Sequence, residues 1–253
     1  MRIWAIGDLH LSFGVENKSM DLFGPAWENH AQRIAQNWKS IVHPSDLVLV
    51  PGDLSWALKL EEAIPDLQWV HDLPGTKVMI KGNHDYWWGS LKKIAEVLPP
   101  SIHLIQNNAF HWKDVAIGGA RLWDTPEYSF NQFVDFRENP KAKAKTQKDL
   151  EEAAQEELSQ TIFNRELERL KMSLACLNKE AKVRIAMTHY PPISADLKPS
   201  RASQILEQNK IDICVFGHLH NIKPDAQLFG EKNGIRYLLT SGDYIRFHPI
   251  AVL

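Results

Sequence analysis

The chain has 253 residues, 44% of them hydrophobic and 24% charged, with a formal net charge of −2. That length suits one large α/β domain or two small ones, and the charge balance gives no basic excess for sequence-blind binding to nucleic acid. No apolar run approaches the roughly 18 residues needed to span a bilayer.

The two cysteines, Cys176 and Cys214, lie far apart in apolar surroundings, which predicts small buried side chains rather than a disulfide or a metal site. The first polar motif already stands at Asp8, directly behind the first predicted strand. A cleaved leader would remove both, so the cytosol is the expected location.

Short β-rich runs alternate with segments of helical period, the pattern of strands interleaved with helices. Arg2–Ile6 reads as a strand, followed by a helix over Trp27–Ile41 with Trp27, Ile34, Trp38 and Ile41 at core-facing spacing. Asp46–Val50 is a strand, and Leu58–Leu73 a helix that must accommodate Pro65. Lys77–Ile80 is a strand, and Ser90–Leu98 a helix stopped by Pro99-Pro100. Further strands are expected at "SIHLI" (101–105) and "VAIGGA" (115–120).

From about Ala142 to Asn178 the pattern becomes a long amphipathic helix or helical pair, carrying Leu150, Ala154, Leu158, Ile162, Phe163, Leu167, Leu170, Leu174 and Leu177. Its leading "KAKAKTQK" is followed at once by acidic residues and reads as a solvated face rather than an anion-binding arm. Alternation then resumes with a strand at Val183–Met187, a Ser-capped helix in "SRASQILEQ" and a strand at Ile211–Phe216. A hairpin turned by Asn233-Gly234 and a last strand in "RFHPIAVL" close the chain. With no repeat or Gly/Ser linker, one domain over 1–253 is expected, with a helical insertion at about 142–178.

The polar clusters fall just beyond the carboxyl ends of predicted strands. "GDLH" (7–10), "PGDLS" (51–55), "KGNHD" (81–85), "THYPP" (188–192) and "GHLH" (217–220) each follow an apolar run. In an α/β sheet the loops at that edge converge on one crevice. They carry Asp8, His10, Asp53, Asn83, His84, Asp85, His189, His218 and His220. The set holds no Ser or Cys nucleophile and no P-loop. Carboxylate, amide oxygen and imidazole without thiolate suit Mn, Fe, Zn or Co. The potential ligands are too many for one ion and suit two ions sharing a carboxylate.

Together these residues resemble the calcineurin-like metallophosphoesterase superfamily, whose signature runs Asp-x-His, Gly-Asp, Gly-Asn-His-Asp/Glu, a later His and Gly-His-x-His. The resemblance implies an α/β sandwich of two mixed sheets flanked by helices. It also implies two divalent ions, Mn first, with Fe, Zn, Co or Mg as alternatives. One ion would take Asp8, His10, Asp53 and His220, and the other Asp53, Asn83, His189 and His218, with Asp53 bridging.

The activity implied is hydrolysis of a small anionic phosphomonoester or phosphodiester by a metal-bridging hydroxide. His84 would act as general acid or charge stabiliser, with Asp85 orienting its ring. A nuclease and a non-catalytic scaffold of the same fold are the alternatives. The Arg residues of Ser/Thr protein phosphatases are missing from "GDLSWAL" and from Tyr86-Trp87, so the resemblance lies nearer to compact bacterial phosphohydrolases. Arg121 is a candidate phosphate contact, with a surface ion pair as its alternative. Trp87 and Trp88 admit two readings, a stacking platform or burial against the next helix. The oligomeric state is open.

Overall fold

Strand alternation decides the layering. The computed structural model describes residues 1–16, 18–135 and 149–253, with backbone alone for 149–156. In the first sheet β1 (Ile3–Ala5), β2 (Leu47–Val50), β3 (Thr76–Met79) and β4 (Ile102–Leu104) are parallel neighbours, and β11 (Ile250–Ala251) pairs antiparallel with β1. In the second, β6 (Val115–Ala120), β7 (Val183–Thr188), β8 (Ile213–Phe216) and β10 (Ile235–Leu239) run parallel. Its edges are the antiparallel β5 (Phe110–Trp112) and β9 (Gly230–Lys232).

The central strands of both sheets are buried on two faces, so successive positions along them find apolar partners on opposite sides. Ile3, Ala5, Leu47, Leu49 and Val78 meet Ile117, Ile185, Met187, Ile213 and Val215 between the sheets. The intervening Trp4, Val48, Val50 and Met79 point outward. They pack with Ile34 and Trp38 of α1 (His30–Ile41) and with Leu67 and Val70 of α2 (Leu60–His71). On the far side Ala116, Ala186, Cys214 and Phe216 meet α4 (Asp149–Ala175) and α5 (Arg201–Gln208). Phe163, Leu167, Leu170 and Leu174 of α4 are buried there. Each such side chain contributes about 1.5–3 kcal/mol, enough to seat the helix. The architecture is thus an α/β sandwich of two mixed sheets, as the resemblance implied.

Several departures have local causes. The helix expected from Trp27 is split, because Asn29 takes a left-handed φ of 50° between a 3-10 turn at Pro25–Trp27 and α1. The helix expected over Ser90–Leu98 shrinks to α3 (Leu91–Ala95). β5 escaped the sequence reading because "FHW" is short and polar at its centre, and a turn with left-handed Lys113 (φ 53°) pairs it to β6. The last strand is confined to β11 because Arg246 and Phe247 (φ 54° and 58°) form a turn.

In the insertion, α4 packs on β6 as one of the flanking helices, while residues 142–148 lie outside the described residues. All of "KAKAKTQK" (141–148), and the side chains of Leu150 and Ala154, lie beyond description. Leu158, expected on the buried stripe, is 58% exposed. Cys176 is likewise exposed rather than buried, since it stands beside Leu174 and Leu177, which occupy the inward face.

Candidate metal centre

The loops leaving β1, β2 and β3 of one sheet meet those leaving β7 and β8 of the other. Their backbones are cross-tied: Asp8 N–H donates to the Gly52 carbonyl at 3.0 Å, and His10 N–H to that of Asp53 at 3.0 Å. Asp8, His10, Asp53 and His218 all have left-handed φ values, 55°, 45°, 53° and 74°. Non-glycine residues hold that conformation at a cost of order 1–3 kcal/mol each, so surrounding contacts must impose it. The motif glycines have a different task. A Cβ on Gly82 would sit 2.0 Å from Oδ1 of Asp53, and one on Gly217 2.2 Å from Oδ2 of Asp8. Both glycines therefore clear space for an aspartate.

The structure brings together every residue the sequence reading named as a metal ligand. Donor atoms of Asp8, His10 and His220 lie within 4.8 Å of one another, as do those of Asp8, Asp53 and His189. Nε2 of His10 faces Nε2 of His220 at 3.3 Å, and the latter is 3.5 Å from Oδ1 of Asp8. Nε2 of His189 is 3.3 Å from Oδ2 of Asp53 and 2.6 Å from Oδ1 of Asn83, which Nδ1 of His218 approaches to 3.0 Å. Two donors at ~2.05 Å from a tetrahedral ion stand about 3.3 Å apart, so the separations of 3.0 to 3.5 Å fit ligands sharing a cation, while the 2.6 Å contact of His189 with Asn83 is a hydrogen bond that an ion would open.

Oδ2 of Asp53 completes the test. It is buried, makes no well-formed hydrogen bond among the described residues, and faces two imidazoles, with Nε2 of His189 at 3.3 Å and that of His10 at 3.8 Å. A buried carboxylate oxygen faced only by imidazoles calls for positive charge, which a cation on each side of it would supply.

Electrostatics sorts the imidazoles. Burial pushes His10 and His218 well below the ordinary histidine range, which leaves them neutral with a lone pair to offer. Burial also opposes charge on His189, but Asp53 beside it wins and raises it to about 9. At His220 burial is likewise outweighed, here by Asp243 and Asp8, and the net shift is well upward. Asp53 is pushed up by burial, yet His189 and His10 hold it well below the carboxylate range. The carboxylates thus call for positive charge at the positions where the donor atoms converge.

His84 lies beside the cluster. Its backbone N–H donates to Oδ1 of Asp53 at 2.8 Å, its ring packs 4.3 Å from that of Trp56, and its buried Nδ1 has no partner among the described residues. Asp85 does not orient that ring, which corrects the sequence expectation. Its carboxylate accepts N–H bonds from Asp53 (2.9 Å), Leu54 (3.0 Å), Ser55 (3.2 Å) and Gly82 (2.8 Å), and from the Trp87 indole at 3.0 Å. Asp85 therefore clasps the second and third loops together.

Trp87 and Trp88 are both 3% exposed, which decides for burial. Arg121, expected as a phosphate contact, is engaged elsewhere. Its guanidinium meets the buried Glu166 at 3.4 Å and lies 4.5 Å over the Trp123 ring, while its carbonyl accepts from His189 N–H at 3.1 Å.

One residue escaped the sequence reading. Oδ1 of Asp243 lies 2.7 Å from Nδ1 of His220, and Oδ2 accepts the Asn221 N–H at 2.9 Å. The available signal was "SGD" after the apolar run "IRYLL", another Gly-Asp at a strand end.

Two cavities flank the cluster. One of about 690 Å³ opens over His10, His84, His218 and His220, between Phe23, Trp56 and Tyr86. The other, of about 870 Å³, lies between Trp123, Phe130 and Tyr190 and also reaches His218.

A family model described as calcineurin-like phosphoesterase matches residues 1–221. The Gene 66 protein of Mycobacterium phage L5 is 34% identical over 86 residues, 32% of this chain and 39% of that protein. Its counterpart in Mycobacterium phage D29 is 31% identical over 83 residues, 33% of this chain and 40% of that protein. The matched region therefore spans about two fifths of the length of these curated relatives. Among solved structures, the chain is similar in fold to the phosphopantetheinyl hydrolase of Mycobacterium tuberculosis. The TM-score is 0.52 at 14% identity, covering 100% of this chain and 95% of that one.

Proposed function

The chain belongs to the calcineurin-like phosphoesterase family, and from that premise we propose that it is a dinuclear, metal-dependent hydrolase of a small phosphoester. Asp8, His10, Asp53 and His220 would hold one ion, and Asp53, Asn83, His189 and His218 the other. Carboxylate, amide and imidazole donors without thiolate suit Mn, Fe, Zn or Co; the family resemblance puts Mn first, with Mg added to the comparison set. When bound, two divalent ions supply the charge that holds phosphoryl oxygens and a water acidic enough to become a nucleophile near neutral pH.

The chain's own residues then divide the remaining work. His84 lines the cavity wall beside the cluster, where its ring can deliver a proton to the departing oxygen. Burial lowers its proton affinity, which favours giving the proton up. Trp56, with its ring 4.3 Å from that of His84 and 5.0 Å from that of His10, limits the space in which either can turn. Asp85 keeps the loops bearing Asp53 and Asn83 in register.

The observation that carries this reading is the buried Oδ2 of Asp53, which faces imidazoles of both ligand sets and makes no well-formed hydrogen bond among the described residues. The test is to strip the protein with chelator, add back each metal, count bound ions by mass spectrometry and assay 4-nitrophenyl phosphoesters. Two ions per chain with restored hydrolysis is the expected result, and Asp53→Asn should weaken both sites. A single bound ion, or a loss confined to one site in Asp53→Asn, would remove the bridging role.

A further inference from the structure

Resting on the phosphoesterase reading above, we infer that the substrate is a phosphodiester with two uncharged organic arms, one seated in each cavity beside the candidate centre. The inference begins with the wall between them. Val134, His218 and Leu219 line both cavities. The segment carrying Val134 is pinned to the loop after β8: Asp135 N–H donates to the Asn221 carbonyl at 2.9 Å, and Lys223 N–H to that of Phe133 at 2.9 Å. Val134 itself bridges to Ile222.

The result is a ridge with a chamber on each side, and His218, a proposed ligand, is open to both. A phosphorus held at the cluster therefore has space in two directions. Each chamber, at about 690 and 870 Å³, falls in the ~300–1,000 Å³ range of sites that enclose an organic ligand. A phosphomonoester has one organic arm and would leave the second chamber without a role.

Charge gives the arms their character. Among the described residues lining the first chamber, Lys18 is the one Lys or Arg, and its ammonium already donates to the Trp56 carbonyl at 2.9 Å. Asp135 stands in the same wall. The second chamber has Asp124 and, among its described lining residues, no Lys or Arg. An arm bearing a further phosphate or carboxylate would face an acid with no free Lys or Arg among the described lining residues, at a cost that the aromatic walls do not offset. Uncharged arms that pack against Trp56, Tyr86, Trp123 and Tyr190 meet no such cost.

The placement of His84 sets the direction of cleavage, since it lines the first chamber and not the second. Water supplies the oxygen that bonds to phosphorus and releases one proton to solvent, which replaces the one His84 gives up. The P–O bond to the first-chamber arm breaks, its electron pair stays on the departing oxygen, and that oxygen takes a proton from His84. The products are a free alcohol and a phosphomonoester of the second arm.

The test compares kcat/KM of the metal-loaded full chain on bis(4-nitrophenyl) phosphate and on 4-nitrophenyl phosphate. The diester should be preferred at least tenfold. Ser129→Trp, which fills the second chamber from its exposed rim, should lower the diester-to-monoester ratio at least fivefold, and Asn131→Trp is a second variant at the same rim. A monoester turned over as well as the diester, or a ratio unmoved in correctly folded variants, would overturn the inference and leave the phosphoesterase reading standing. No turnover of either ester with Mn, Fe, Zn, Co or Mg would overturn both.

Discussion

Asp243 and His220 form a carboxylate–imidazole pair at 2.7 Å, made through the ring nitrogen that does not face the cluster. A histidine ligand whose far nitrogen donates to a carboxylate is fixed in tautomer and orientation, and its ligating nitrogen becomes a better donor. Among the described residues no other imidazole of the set has a carboxylate in this place. His189 has the Pro51 carbonyl at 3.0 Å on its far nitrogen, and Nδ1 of His10 has no partner among the described residues. Asp243→Ala should weaken metal binding about 10–100-fold, as removal of such partners typically does. Asp243→Asn should keep the hydrogen bond and recover part of that loss. Chelator-competition titration reads this without any activity assay, and equal affinity in both variants and the parent protein would show that the pair only fills space.

His84→Asn tests proton delivery. The proposed ligands are untouched by the change, so metal content should hold, while kcat falls roughly 10²–10⁴-fold. The loss should be larger for alkyl esters than for nitrophenyl esters, whose departing oxygen needs no proton. Equal losses on both would reject the general-acid role. With Asp85 turned away and Nδ1 unpartnered among the described residues, only the through-space pull of Asp53 and Asp8 favours the charged ring, and burial outweighs it.

Asp85 should behave as a structural residue. Its carboxylate satisfies backbone N–H groups of Asp53, Leu54, Ser55 and Gly82 in a buried site, and removing it leaves those donors unpaired. Each stranded donor costs about 1–3 kcal/mol, so Asp85→Ala should destabilise the protein by several kcal/mol even without metal. Urea unfolding of the chelated protein measures this. A variant with unchanged stability and lost activity would instead restore a catalytic role to Asp85.

The sandwich and the gathering of the proposed ligands were legible because strand periodicity and strand-end placement are local signals. What those loops do to one another was not. "NHD" looks the same whether Asp85 turns toward His84 or away to cap the neighbouring loop, and the choice is made by N–H groups some 30 residues earlier. Arg121 illustrates the same limit. Its partner Glu166 is contributed by a helix that enters much later in the chain, inside a pattern that reads only as an amphipathic face. Asp243 carried a readable signal, a Gly-Asp behind an apolar strand, but it lay beyond the last recognised motif.

A pH prediction follows from Asp66, whose fully buried side chain on α2 accepts from the Ser55 hydroxyl and from the Phe13 N–H at 2.8 Å. Burial outweighs those two bonds and pushes its carboxyl up to about 6 from 3.8. The folded state therefore holds this proton more tightly than the unfolded chain. The resulting stabilisation is complete below about pH 4 and is lost as pH rises through about 6. A shift of about two pKa units corresponds to roughly 3 kcal/mol between those limits. Asp66→Asn is neutral throughout, so its stability relative to the parent protein should improve by that order from pH 4 to pH 7. Urea unfolding of the two proteins at intervals across that range isolates the contribution, since the other titrating groups cancel in the difference. A difference that stays constant with pH would mean that Asp66 remains ionised in the fold, supported by its two hydrogen bonds against the penalty of burial.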